Sequence, residues 1–347
     1  MDMREDKDFA KEYYFNIHEN IWLTGIMGLI TGDALGYPVY HMDRSELKKR
    51  GMVTGMEGNG YCDLPKGVYT DSGAMTLALL ASINETGDIN LTNIMDRLQD
   101  WLRDGFYTPT ERALVLSHEA YDAVMNYQDT WIPEPAESAI KSKENASLKR
   151  ILPACLYVIA NGLGVKESLE VIHKVSWLTN SHTCCSIGCG IYYFMIRAIL
   201  RGKGKAEIQE ILQEAISEGM DYYGTDSVYA NELGEYDGLK NLEMLSQTLK
   251  DELCSNSNIV HTLETAVWAV ITTDDYRKAV LSAVNLGGDT ATIAAVTGSM
   301  AALWYGYSNI PPEWVGDIKC RGWIRDMCTI ADVRLPIRLE TIFSGRS

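Results

Sequence analysis

The chain has 347 residues, a net charge of −16 and 46% hydrophobic residues. That hydrophobic share is ordinary for a globular protein with a sizeable core. The acidic balance argues against nucleic acid or an anionic membrane surface as the default partner. Eight cysteines are present; they form no CxxC pair and several lie in apolar helical text, which fits free thiols in the cytoplasm better than a disulfide framework.

Taken in chain order, the N-terminal MDMREDKDFAKEYY is charged and carries no signal-peptide core. Residues 28–39, GLITGDALGYPV, place Gly32, Asp33 and Gly36 at a helix end. Residues 67–81, GVYTDSGAMTLALLA, set Thr70, Asp71 and Ser72 just before an Ala/Leu-rich helix. Residues 144–153, ENASLKRILP, form a polar turn that opens another helix. In TNSHTCCSIGCGI, residues 179–191, His182 precedes a helix start. The spacing of His182, Cys184, Cys185 and Cys189 does not match structural zinc sites, and buried helix cysteines are the plainer reading.

Residues 205–223 read as a solvated amphipathic helix, and residues 224–241 as the longest polar loop. The segment NLGGDTATIAAVTGSMAALWYG, 285–306, runs two glycines into an acid at the start of a small-residue helix. A helix start offers unpaired N–H groups and partial positive charge. Asp289 and Thr292 on that first turn are candidates to bind a cation or a sugar hydroxyl. Asp289 as a plain N-cap is the competing reading. Apolar residues recur at three- and four-residue spacing through 74–83, 94–102, 112–125, 148–162, 186–200, 206–216, 259–270, 276–284 and 292–304. Strand-like alternation is scarce, no apolar run reaches membrane-span length, and no linker divides the chain. The expectation is a single all-α domain over residues 1–347, an orthogonal helical bundle with functional loops at several helix starts.

Together, five segments resemble the ADP-ribosylglycohydrolase family. Gly32 to Gly36 is similar to its opening GDALG signature, and Thr70-Asp71-Ser72 to its threonine-aspartate-aspartate motif. Asn145 to Arg150, NASLKR, resembles its substrate loop, usually NGSLMR. Thr179 to His182 falls where T-H-x-H is often found, and Asp289 to Ile293 resembles DTDTI. The tail, with Tyr305-Gly306-Tyr307, Ile310-Pro311 and Trp314, also matches.

The resemblance implies a hydrolase of an ADP-ribosyl or related nucleotide-sugar glycosidic bond, working through a dinuclear magnesium or manganese centre. It also implies which ligands are missing here. The expected glutamate is Tyr40, and the second aspartates of the two motifs are Ser72 and Ala291. Thr70, Asp71, Asp289 and Thr292 remain as metal-ligand candidates, with Asp71 and Asp289 as the catalytic candidates. Two carboxylates would leave two divalent ions with surplus positive charge in a partly buried site. The donor set therefore allows one weakly held Mg²⁺ or Mn²⁺ and disfavours a stable pair. Asn145, Ala146, Ser147, His182, Gly287 and Gly288 are the expected contacts to ADP-ribose or an ADP-ribosylated substrate. The alternative is a catalytically silent relative that captures such a ligand. No nucleic-acid or membrane partner is expected.

Overall fold

In the computed structural model the described residues are 20–337, apart from 115, 136 and 203–205. The charged N-terminal segment and the ends of the expected domain lie outside them. Among the described residues the architecture is helices joined by short turns, with isolated bridges at Asn59–Leu64 and Glu144–Asn258 and no strand.

The innermost pair is Ile21–Gly36 packed on Thr290–Tyr305. Small residues let the two backbones approach closely. A Cβ built on Gly32 would lie 2.0 Å from the Ala294 carbonyl oxygen, and one on Gly36 2.3 Å from that of Thr290. The close approach is pinned by the Thr290 hydroxyl, which donates to the Gly36 carbonyl at 2.7 Å. Around this pair pack Asp71–Thr86, Leu152–Ala160, Thr183–Gly202, Ile259–Ile271, Tyr276–Val284 and Arg321–Arg334. Their buried apolar side chains form one cluster that runs from Trp22 to Ile337.

Helix starts are set by local chemistry. Asn20 accepts from Leu23 N–H, Thr70 from Ser72 N–H and Asp289 from Thr292 N–H, so each side chain satisfies a donor that the first turn leaves open. Most expected helices fall within observed ones to within two residues, and three segments differ. The expected 112–125 helix begins only at His118, where Ser117 caps it. The expected 148–162 helix opens as a 3-10 turn, Leu148–Arg150, before Leu152–Ala160. Residues 224–241 are not a loop: Asp226 caps a short helix, Ser227–Leu233, and a 3-10 stretch, Gly234–Leu239, follows.

Thr183–Gly202 does reach membrane-span length, at 20 residues with mean hydropathy 1.5. Its span is 89% buried inside the protein. It is a core helix, apolar on nearly all faces because other helices cover it.

Candidate active site

The site forms where the starts of Asp71–Thr86 and Thr290–Tyr305 meet the end of Ile21–Gly36 and the 3-10 turn Leu148–Arg150. Asp33, on the last turns of the first helix, is fully buried. It accepts from Thr70 N–H at 2.8 Å, the Thr70 hydroxyl at 2.7 Å and Gly73 N–H at 2.8 Å. Burial outweighs these three donors and raises its carboxyl to about 7. Asp33 thus anchors the turn that carries Asp71.

Asp71 is wholly buried, and its Oδ1 lies 2.9 Å from the Lys149 ammonium, itself only 2% exposed. The Thr70 hydroxyl is 3.3 Å from the same oxygen, and the other carboxylate oxygen accepts from Leu116 N–H at 2.9 Å. Asp289 caps its helix with one oxygen and accepts from Asn145 Nδ2 at 2.8 Å with the other. Asn145 also donates to the Thr262 hydroxyl at 2.8 Å. Tyr40 faces both aspartates: burial, then the negative charges of Asp289, Asp71 and Glu144, push its hydroxyl well above its ordinary value.

Two residues outside the expected set complete the acidic face. Glu119 accepts from the Ser142 hydroxyl at 2.7 Å and lies beside the Glu144 carboxyl, close enough for the two to influence each other's protonation. Burial favours the neutral form of Glu119, but Glu144, Ser142, the backbone and Ser117 outweigh it and hold its carboxyl low. Half-buried Glu144 goes the other way. Burial, the side chain and charge of Glu119, and Asp289 beyond, raise it to about 7, against the opposing charge of Lys149. Glu144 therefore carries a proton near neutral pH while its partner is ionised. Its place directly before Asn145 was the only sequence signal, and a lone glutamate in a polar turn is ordinarily solvated.

A cavity of about 780 Å³ opens beside this cluster, lined by Tyr40, Asp289, Gly288, Arg44, His41 and Asn256, among others. Asn145, Asp289, Asp71 and Thr70 are therefore brought together, and Ala146 and Ser147 are buried under the same turn. Ser147 accepts from the Cys189 thiol at 3.5 Å. His182 Nδ1 accepts from Cys184 N–H at 3.1 Å and caps the following helix. The two glycines let the loops pack closely, and Gly288 lines the cavity. Gly288 N–H is bonded to the Met42 carbonyl at 2.8 Å and Asp289 N–H to that of Ser255 at 2.7 Å. Gly288 has φ +75°, and a Cβ there would meet the Ser255 oxygen at 2.1 Å.

Comparison with known proteins places this constellation. The family model described as ADP-ribosylglycohydrolase matches residues 19–341. The chain belongs to the ADP-ribosylglycohydrolase family. It is 27% identical over 294 residues to ADP-ribosylarginine hydrolase Tri1 of Serratia proteamaculans, covering 84% of this chain and 73% of that one. It is 24% identical to ADP-ribosyl-[dinitrogen reductase] glycohydrolase of Rhodospirillum rubrum, covering 89% of this chain and 94% of the relative. A solved ADP-ribosylglycohydrolase-related protein complex superposes with TM-score 0.70 at 24% identity, over 91% of this chain and 98% of that one, a likeness of fold.

Members of the ADP-ribosylglycohydrolase family are typically metal-dependent, and the residues here do not fit a divalent pair. Lys149 and Leu116 N–H hold Asp71, Asn145 and the helix start hold Asp289, and Asp33 holds the Thr70 hydroxyl. Positions 40, 72 and 291 supply tyrosine, serine and alanine. The Ser72 hydroxyl is buried without a hydrogen-bond partner, but a single neutral oxygen does not offset a dication. Among the described residues no group of three or more His, Cys, Asp or Glu side chains is arranged to hold a metal ion.

Proposed function

We propose that this chain hydrolyses an ADP-ribosyl or related nucleotide-sugar glycosidic bond, and does so without the divalent pair of its relatives. The observation that carries the reading is Asp289 on the wall of a roomy cavity, tied through Asn145 to the loop that carries Glu144 and, through Lys149 of that loop, to Asp71. Glycosidic hydrolysis needs a proton for the leaving group and a base or negative field on the opposite side of an oxocarbenium-like transition state. A carboxyl raised towards neutrality, Glu144, and a second carboxylate on the cavity wall, Asp289, meet that need.

Glu144, protonated near neutral pH, suits the donor. It gives its proton to the leaving nitrogen or oxygen as the bond from the anomeric carbon breaks. Asp289, on the cavity wall, orients the attacking water and accepts its proton as the new C–O bond forms. The proton released at Asp289 balances the one that Glu144 regains from solvent. Asp71 has no exposed surface, so its part is positional, holding Lys149 and the Leu116 segment in register. Arg44 on the cavity wall offers a cation for a diphosphate, and Asn145 fixes the Asp289 carboxylate against rotation.

A second reading has its own support. The Lys149–Asp71 pair is also what a chain that captures ADP-ribose without turnover would tolerate. Incubation with ADP-ribosylated arginine and serine peptides, followed by mass spectrometry of both peptide and released sugar, separates them. Free ADP-ribose supports hydrolysis. Binding of ADP-ribose with no release on any linkage supports capture and overturns the hydrolase reading.

A further inference from the structure

The most unusual feature of the site is a cation supplied by the chain. In the loop NASLKR, lysine stands at position 149 where the similar family motif, NGSLMR, has methionine. A lysine ammonium is almost never fully buried without a partner, because removal from water disfavours its charge. Here the side chain is 2% exposed and its ammonium lies 2.9 Å from Asp71, which is 0% exposed. The backbone fixes it in place. Lys149 N–H donates to the Asn145 carbonyl at 3.1 Å, and the Thr76 hydroxyl donates to the Lys149 carbonyl at 3.2 Å. The same loop thus ties Asp289, through Asn145, to Asp71, through Lys149.

Charge balance explains why the lysine and the missing acids occur together. Two divalent ions against five carboxylates leave such a site one unit negative. At the positions matched to those ligands, Asp71 and Asp289 against one ammonium also leave one unit negative. Removing three acids while keeping the metals would have overcharged the site. Removing metals while keeping all five acids would have left uncompensated buried anions. One ammonium with two carboxylates satisfies both constraints.

We propose that the Lys149 ammonium is the resident cation of this site, taking the electrostatic place of the divalent metal and excluding Mg²⁺ and Mn²⁺ from Asp71. This inference concerns ion binding and stands whether or not the chain turns over a substrate. It is tested on the full chain with Mn²⁺ as the probe, by the loss of the free Mn²⁺ paramagnetic resonance signal and by the shift in melting temperature. The wild-type chain should bind no Mn²⁺ up to millimolar concentration. Lys149→Met should bind it at least tenfold more tightly than wild type, and the added substitution Asp71→Asn should remove the gain. Lys149→Gln, which can still donate a hydrogen bond to Asp71, repeats the test in a gentler form. Lys149→Arg should stay silent.

Should either neutral variant be unfolded, millimolar Mn²⁺ should restore its helical signal and a cooperative melting transition, since an ion that binds only the folded state stabilises it. Three results would overturn the proposal. One is micromolar Mn²⁺ binding by the wild type that Asp71→Asn abolishes. Another is folded Lys149→Met and Lys149→Gln variants that bind no more Mn²⁺ than wild type. The third is unfolded neutral variants on which Mn²⁺ has no effect.

Discussion

Replacing Asp33 by asparagine tests how the site is scaffolded. In the fold this carboxyl is fully buried and titrates at about 7, against 3.8 for an unperturbed aspartate. Between those values the folded state binds a proton that the unfolded chain has released. The stability that this proton contributes is full below pH 4 and is lost as pH rises through 7. At about 1.36 kcal/mol per pH unit, the wild type should lose about 3 kcal/mol between about pH 5 and pH 8 from this group alone.

Asparagine mimics the protonated carboxyl. Its carbonyl can accept from Thr70 and Gly73 N–H in place of Oδ2, and its amide can donate to the Thr70 hydroxyl in place of Oδ1. Asp33→Asn should therefore lack that part of the pH slope, and should gain on wild type by about 3 kcal/mol across the same range. Asp33→Ala instead strands three donors in a dry site, at about 1–3 kcal/mol each. It should be destabilised by about 3–6 kcal/mol relative to Asp33→Asn at every pH, and its deficit against wild type should shrink by about 3 kcal/mol between about pH 5 and pH 8. Urea unfolding of the three proteins at a series of pH values measures both effects. Parallel pH profiles for wild type and Asp33→Asn would show that Asp33 is ionised throughout, and would refute the reasoning.

Three further outcomes follow from the same geometry. Asp289→Asn and Asp71→Asn should each lower the hydrolytic rate on the order of a hundredfold, the first through a group on the cavity wall and the second through displaced neighbours; steady-state kinetics in which neither changes kcat would place the chemistry elsewhere. Glu144, raised to about 7 and acting as the acid, should make activity fall as pH rises above that value; Glu144→Gln should lose about a hundredfold and flatten the alkaline limb, and an unchanged pH–rate profile would remove it from the mechanism. Gly288→Ala, at φ +75° with its new Cβ 2.1 Å from the Ser255 oxygen, should cost about 2–4 kcal/mol in chemical unfolding, and a cost below about 0.5 kcal/mol would mean that the 255 loop moves freely.

Much of the fold is legible in sequence because most helices have one apolar face. Leu91–Asp104 and Tyr276–Val284, for example, bury a stripe and expose the rest, so three- and four-residue spacing marks them. The central helix Ile21–Gly36 escapes that signal because nearly every face is covered. The segment 224–241 misleads in the opposite sense: its helices are short and mostly exposed, so composition alone resembles a loop. In the site, Asp71, Asp289 and Asn145 are legible because motif spacing puts them at helix starts and turns. The meaning of Lys149 is not, since a lysine in a polar turn ordinarily points to solvent, and only tertiary packing brings it against Asp71. The Glu119–Glu144 pair is hidden for the same reason, its members lying on separate elements. At Gly287 and Gly288 the positive φ and close approach that the sequence pattern suggests are both present, with Met42 and Ser255 as the neighbours approached.

The central claim is that this acidic cluster cleaves an ADP-ribosyl bond with an internal cation in place of metal. The most direct measurement is the rate of free ADP-ribose release from ADP-ribosylarginine and ADP-ribosylserine peptides, followed by mass spectrometry, in excess EDTA and in millimolar Mg²⁺. The account predicts release from at least one linkage at the same rate in both buffers, lost in Asp289→Asn. Release that requires Mg²⁺, or none from either linkage in either buffer, would contradict it.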